Sequence, residues 1–163
     1  MKRLAVVAVL VLVLAFVLAI SPALHAACTE AHTVLLWKVG DRVYEQISVV
    51  WTADATPATC TFTLTEGTSG SFVGYITSVE TVPGGTAPTT LYDIVLRRGT
   101  SAGVDVMGGA LANRSATLAE QEMPTVGTFL APFPRWINGT VYVAITNNSV
   151  SSSSGTIIFN LER

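Results

Sequence analysis

The chain has 163 residues, 50% of them hydrophobic and 12% charged, with a formal net charge of −2. Its mean hydropathy of +0.53 is raised by one apolar stretch at the N-terminus, so it does not describe a membrane-embedded body. Beyond residue 27, seven basic side chains stand against eleven acidic ones, which excludes the basic footprint of a nucleic-acid binder.

The first element is the leader. Lys2 and Arg3 precede an apolar run from Leu4 to Ile20, and Ser21, Pro22 and small residues follow. That is the layout of a secretory signal peptide over residues 1–27. An uncleaved anchor is the alternative, because a spanning helix needs about 17–25 apolar residues and this run sits at the lower bound. Pro22 breaks the helix and favours cleavage. Cut sites are available after Ala23, Ala26 or Ala27. The last would make Cys28 the first residue, and His25-Ala26-Ala27-Cys28 has the form of a lipoprotein box except for His25. Membrane contact is therefore expected only through this segment, if uncleaved, or through a lipid on Cys28. Export places the rest of the chain in a periplasmic, extracellular or surface-associated setting.

Residues 28–163 suffice for one domain that buries roughly two thirds of its unfolded surface. Cys28 and Cys60 suit a disulfide in such a compartment, closing a loop of about 30 residues and contributing roughly 3 kcal/mol. From Thr33 the pattern is period 2 with frequent breaks, the signature of short strands. Thr33 to Val39 is followed by the turn pair Gly40-Asp41. Arg42 to Ala53 is a long strand with Val43, Ile47, Val49 and Trp51 on one face, and Asp54 to Pro57 turns the chain. Thr59 to Thr65 alternates Cys60, Phe62 and Leu64 against threonines, which predicts one core face and one wet face. A loop at Gly67 to Gly70 leads to a strand from Phe72 to Val82, in which Gly74 marks a bulge or a close contact. Pro83 to Pro88 is a turn cluster, and Leu91 to Arg98 is the next strand.

Regularity drops from Gly99 to Pro134. Val104 to Met107 reads as a short strand ended by Gly108-Gly109, Ala110 to Gln121 as loop with a helical turn, and Thr125 to Leu130 as a strand. Pro132 and Pro134 stop regular pairing around Phe133. Asn138-Gly139 then opens a hairpin of Val141 to Thr146 and Thr156 to Leu161, joined by a polar loop from Asn147 to Gly155. About seven to nine short strands with turn signals roughly every 8 to 15 residues predict an all-β fold. An antiparallel β-sandwich of jelly-roll or immunoglobulin-like topology, with one irregular loop region, is expected; a small closed barrel is the alternative.

Catalytic devices are scarce. His32 is the sole histidine after the leader, so any Ser-His-Asp or Cys-His arrangement depends on it, and no nucleophile motif accompanies it. Asp93, Asp105, Glu120 and Glu122 are candidates for a carboxylate pair of the glycosidase kind, and Asp105 to Asn113 for a calcium loop. No Asp-x-Asp-x-Asp pattern supports the latter, and the cysteines and histidine cannot complete a zinc site. Asp105, Asn113, Arg114 and Glu120 are expected to form a structural network, with Arg114 paired bidentately to Asp105 or Glu120. No cofactor or metal is expected, and the chain is read as a non-enzyme.

Seven aromatics, Trp37, Tyr44, Trp51, Tyr75, Tyr92, Trp136 and Tyr142, raise the prospect of a sugar platform, although strand aromatics are usually core. Trp136, between Pro134-Arg135 and Asn138-Gly139, reads as a loop contact residue. Together with Asp105 and Arg114 it forms the candidate binding set. Sequons begin at Asn113, Asn138 and Asn147 and matter only in a glycosylating host. Lys38 is the one lysine beyond the leader. Sheet edges are commonly guarded by lysine, so this scarcity suggests edges covered by a partner or by other copies.

The segments DVMGGALANRSATLAE (Asp105 to Glu120), VYVAITNNSV (Val141 to Val150) and SGTIIF (Ser154 to Phe159) resemble a group of small uncharacterised β-rich proteins from tailed phages and phage-like bacterial genome regions. The likeness begins near Trp51-Thr-Ala-Asp54. It implies a structural, virion-like β module, with self-association or a cell-surface or virion partner, and carries no activity to any residue. The leader sets this chain apart from a virion component assembled in the cytoplasm. The function expected is therefore an exported, non-enzymatic structural or interaction β-sandwich, with a carbohydrate-binding module as the alternative.

Overall fold

The computed structural model describes residues 28–55, 58–65, 72–126 and 131–163. The leader, Pro57 and the Gly67–Gly70 loop lie outside these. The described residues form eleven strands and no helix: β1 (Thr29–Val39), β2 (Arg42–Thr52), β3 (Cys60–Leu64), β4 (Phe72–Pro83), β5 (Asp93–Arg98), β6 (Glu120–Glu122), β7 (Thr125–Val126), β8 (Ala131–Pro132), β9 (Arg135–Gly139), β10 (Val141–Thr146) and β11 (Ser154–Glu162).

Two antiparallel sheets pack together as a β-sandwich. The larger runs β1-β2-β11-β4-β6, with β9 also paired to β4, and the smaller runs β3-β10-β5. Period-2 alternation decides which side chains meet between them. Ile47, Val49 and Trp51 of β2, Ile157, Phe159 and Leu161 of β11, and Phe72, Ile76 and Val79 of β4 point inward from the large sheet. Cys60, Leu64, Ile94, Leu96, Val141, Val143 and Ile145 answer from the small one, in one continuous cluster. Val43, expected on the same buried face as Ile47, is only half-buried.

Local chemistry explains the joints. Gly40, at φ 60°, and Asp41 form the two-residue turn between β1 and β2, where a primed hairpin turn demands positive φ. Gly74 is a close contact: a Cβ there would sit 2.9 Å from the Glu162 carbonyl oxygen. The bulge falls nearby, where Asn160 faces Ser78 and Leu161 faces Ile76, so Thr77 is the extra residue. Its hydroxyl donates to the Asn160 carbonyl at 3.0 Å. Cys28 and Cys60 form a disulfide with a Cα–Cα distance of 5.0 Å, tying the start of β1 to the small sheet. The bridge occupies the sulfur that a lipid on Cys28 would need.

Three expectations are corrected. Val104 to Met107 is not a strand; Asp105 makes an isolated bridge to Arg97 and the rest turns. Ala110 to Gln121 holds no helical turn, and its end pairs with β4 as β6. Pairing does stop around Phe133, since Phe133 and Pro134 lie between β8 and β9, while Pro132 itself still faces Thr125 in a two-stranded ribbon; residues 127–130 of the expected Thr125–Leu130 strand lie outside the described residues. Asn138-Gly139 does not open a hairpin of Val141 to Thr146 with Thr156 to Leu161. Asn138 and Gly139 belong to β9, and Gly139, at φ 106°, stands where the chain leaves the large sheet for β10 in the small one. β10 and β11 accordingly lie in different sheets.

Candidate functional site

The irregular region is organised by Arg114, as expected, but with a different set of acids. Glu120 and Glu122 alternate along β6, so both carboxylates lie on one face of that strand. Arg114, 7% exposed, donates to Glu122 at 3.0 Å and lies 3.7 Å from Glu120. Its Nε and Nη2 donate to the Ala112 carbonyl at 3.2 and 2.9 Å. Glu120 in turn accepts the Ser115 amide at 2.6 Å. The guanidinium is thus committed to the fold rather than offered to a ligand.

Asp105 does not reach Arg114. Its carboxylate accepts the Met107 amide at 2.9 Å and the Gly109 amide at 2.8 Å, the local turn that aspartate side chains commonly stabilise. Asn113, at φ 57°, gives its amide to Asp93 at 2.8 Å. Asp93 also accepts the Asn147 side-chain amide. The four acids proposed as catalytic pairs are therefore loop ties, and among the described residues no three His, Cys, Asp or Glu side chains gather as a metal site. His32 is partly buried on β1 and contacts Glu30 at 3.4 Å.

Behind this network Tyr92, 1% exposed, packs on Trp51 with ring centroids 6.2 Å apart. Burial, reinforced by Glu120 and opposed by Arg114, pushes its hydroxyl from 10.0 up to about 12. The folded value lies above the unfolded one, so its contribution to stability is complete below about pH 10 and is lost as pH rises towards 12. Thermal melts should hold steady to that lower pH and then fall. Tyr92→Phe should remove that component of the fall, together with a step in tyrosinate absorbance near pH 12.

The exposed chemistry lies elsewhere. Trp136 is on β9, not on a loop, directly opposite Tyr75 of β4. Alternation turns both outward from the large sheet, and their rings meet edge to face at 5.0 Å with an interplanar angle of 60°. Phe133, 62% exposed, joins them, held by its amide donating to the Pro124 carbonyl at 2.8 Å. These rings, Val126 and Arg98 from the end of β5 line a cleft of about 630 Å³. Arg135, also at the cleft, is anchored by donating to the Asp105 carbonyl at 3.2 Å and the Thr125 carbonyl at 3.0 Å. Asp105 thus serves the cleft through its backbone, while Arg114 belongs to the neighbouring network.

A second exposed feature escaped the sequence reading. Val34, Leu35, Leu36, Trp37 and Val39 of β1 are 37–61% exposed. Residues of both parities are uncovered because β1 is the edge of the large sheet, beyond the reach of the three-stranded one. Trp37 stacks on Tyr44 of β2 at 5.9 Å. Comparison of the chain with protein-family models, with curated proteins and with solved structures finds no match.

Proposed function

We propose that this chain is an exported, non-enzymatic interaction module that acts through the apolar β1 edge. The observation that carries this reading is the uncovered strand itself. Natural edge strands are usually short, charged or covered, whereas β1 extends for 11 residues with apolar side chains open on both faces. Such a strand offers backbone hydrogen bonds and side-chain contact together, the means by which sheets recruit a partner strand. The leader and the Cys28–Cys60 disulfide support a setting outside the cytoplasm. A surface or virion-like role agrees with the phage-protein resemblance. Light scattering on the exported protein tests it: concentration-dependent assembly, or a cell-surface partner retained at β1, is expected. A strict monomer at high concentration that retains no such partner overturns it.

A second reading rests on the aromatic cleft. Tyr75, Phe133 and Trp136 offer flat rings for the apolar faces of a saccharide, and Arg98 offers a charge for its polar groups. Trp136→Ala should then abolish binding on a glycan array while leaving the melting temperature within a few degrees, because the ring is 46% exposed. Silence of the parent protein across the array removes this reading.

A further inference from the structure

We infer that the strand β1 pairs with is β1 of a second copy, antiparallel and in one register, centred on Val34. This rests on the interaction reading above and adds the partner and the alignment. Residues opposite each other in β1 and β2 share a face, and Ile47, Val49 and Trp51 face the core. Their partners Val34, His32 and Glu30, with Leu36 and Lys38 continuing the row, therefore define the inner face of β1. Ala31, Thr33, Leu35, Trp37 and Val39 define the outer one.

Two copies joined edge to edge by a two-fold axis normal to the sheet keep inner face with inner face. Every residue then meets a partner residue of the same parity. Centring on Val34 overlaps β1 over its full 11 residues, Thr29 to Val39, which gives the longest ladder available. The same register sets Glu30 of each copy opposite Lys38 of the other, and Val34 opposite its own counterpart. On the outer face Trp37 lies over Ala31, and Leu35 lies beside Thr33.

Charge selects the same alignment as strand length. Glu30, His32 and Lys38 are the only ionisable side chains of β1, and among the described residues no carboxylate lies within ion-pairing distance of Lys38. A slip of one pairing step sets Lys38 against His32 in one direction and against Cys28 in the other, and in both leaves Glu30 with no cation across the ladder, only His32 of its own strand. Lysine on an apolar edge ordinarily blunts pairing with any strand that arrives. Here it admits one strand, its own copy in one register, because only that strand brings Glu30 to the right place.

The test uses protein recovered after export from cells making the full chain. Sedimentation equilibrium should show a dimer. Glu30→Lys or Lys38→Glu alone turns two attractive cross-strand pairs into repulsive ones and should weaken it about tenfold. Glu30→Lys with Lys38→Glu should restore the parent constant to within about threefold. The native cysteines are joined to each other, so introduced thiols report alone. Val34→Cys should give a disulfide-linked dimer on mild oxidation, which needs Cβ atoms only about 3.5–4.5 Å apart and so excludes diagonal neighbours. Thr33→Cys and Leu35→Cys should not do so separately, but should cross-link when mixed.

A dimer indifferent to both charge reversals, or Thr33→Cys linking to itself, overturns the register and leaves the interaction reading standing. A monomer that holds a different cell-surface protein, or its own leader, at β1 overturns the second-copy assignment. A monomer with nothing at β1 overturns both.

Discussion

Trp51→Ala is expected to lower the unfolding free energy by about 3–5 kcal/mol, the range for truncating a fully buried large aromatic. The indole is 1% exposed, packs on Tyr92 and lies between the two sheets. Across the β2–β11 ladder it faces Gly155, and that pairing explains the glycine. A Cβ on residue 155 would sit 2.8 Å from Trp51 Cζ2 and 3.0 Å from its Nε1. The indole occupies the space of the missing side chain.

Gly155→Ala should therefore cost about 1–3 kcal/mol by overpacking alone. Trp51→Phe, which withdraws the larger ring, should relieve much of that cost when the two are combined. The double variant is expected to fall short of the summed losses by at least about 0.5 kcal/mol in urea titrations, the lower end for residues in contact. Strict additivity would mean that the indole and residue 155 do not compete for one volume. With domain stabilities of about 5–15 kcal/mol, Trp51→Phe also keeps the cycle measurable if Trp51→Ala does not fold.

Individual strands were legible wherever alternation ran uninterrupted. Thr59 to Thr65 alternates strictly and Thr156 to Leu161 does so except at Ile158; β3 buries Cys60 and Leu64 with Phe62 half-buried, and β11 buries Ile157, Phe159 and Leu161. Pairing was not legible, because adjacency in sequence says nothing about which sheet a strand joins. Val141 to Thr146 and Thr156 to Leu161 look like hairpin arms, yet β10 sits between β3 and β5, and β11 between β2 and β4. Asn138-Gly139 has the composition of a hairpin turn. What its glycine supplies is the positive φ at which β9 becomes β10, the same backbone freedom used for a different purpose.

The candidate site was read in part for similar reasons. Arg114 lies 3.7 Å from one of its two expected acids, Glu120, but not in the expected bidentate pair, because its carboxylate hydrogen bond goes to Glu122. Glu122 was missed as its partner because the alternation of β6 became visible only once that segment was paired to β4. Asp105 was misassigned because its carboxylate is consumed by amides two and four residues onward, a local turn that competes with any distant cation. Trp136 is exposed but lies on a strand where a loop was expected, and the ring opposite it, Tyr75, depends on the β4–β9 register. Exposure of β1 was invisible for the opposite reason: Thr-Val-Leu-Leu-Trp-Lys-Val reads as a core strand. Only the narrowness of the opposing sheet leaves it uncovered.

Removing the crosslink, by Cys28→Ala with Cys60→Ala, is expected to cost about 3 kcal/mol. The bridge spans a sequence separation of 32, and the freedom it removes from the unfolded chain grows with that span. Alanine avoids placing a hydroxyl at position 60, where the side chain is 1% exposed in the core. The folded-state effect should be local. β1 keeps its full ladder to β2 but loses its covalent tie to β3, so amide exchange should rise first in β1 and least in β4 and β11, which have partners on both sides. Urea titration of the parent with and without reductant should reproduce the loss, and the double variant should be indifferent to reductant. A parent insensitive to reductant would mean that the bridge contributes nothing. A loss of about 3 kcal/mol is a large share of a stability of about 5–15 kcal/mol. Chain retained in a reducing compartment would then carry a weakened sandwich whose least tethered strand is the apolar edge. If the chain is exported as proposed, export completes the bridge, and the bridge holds β1 in place for the proposed partner.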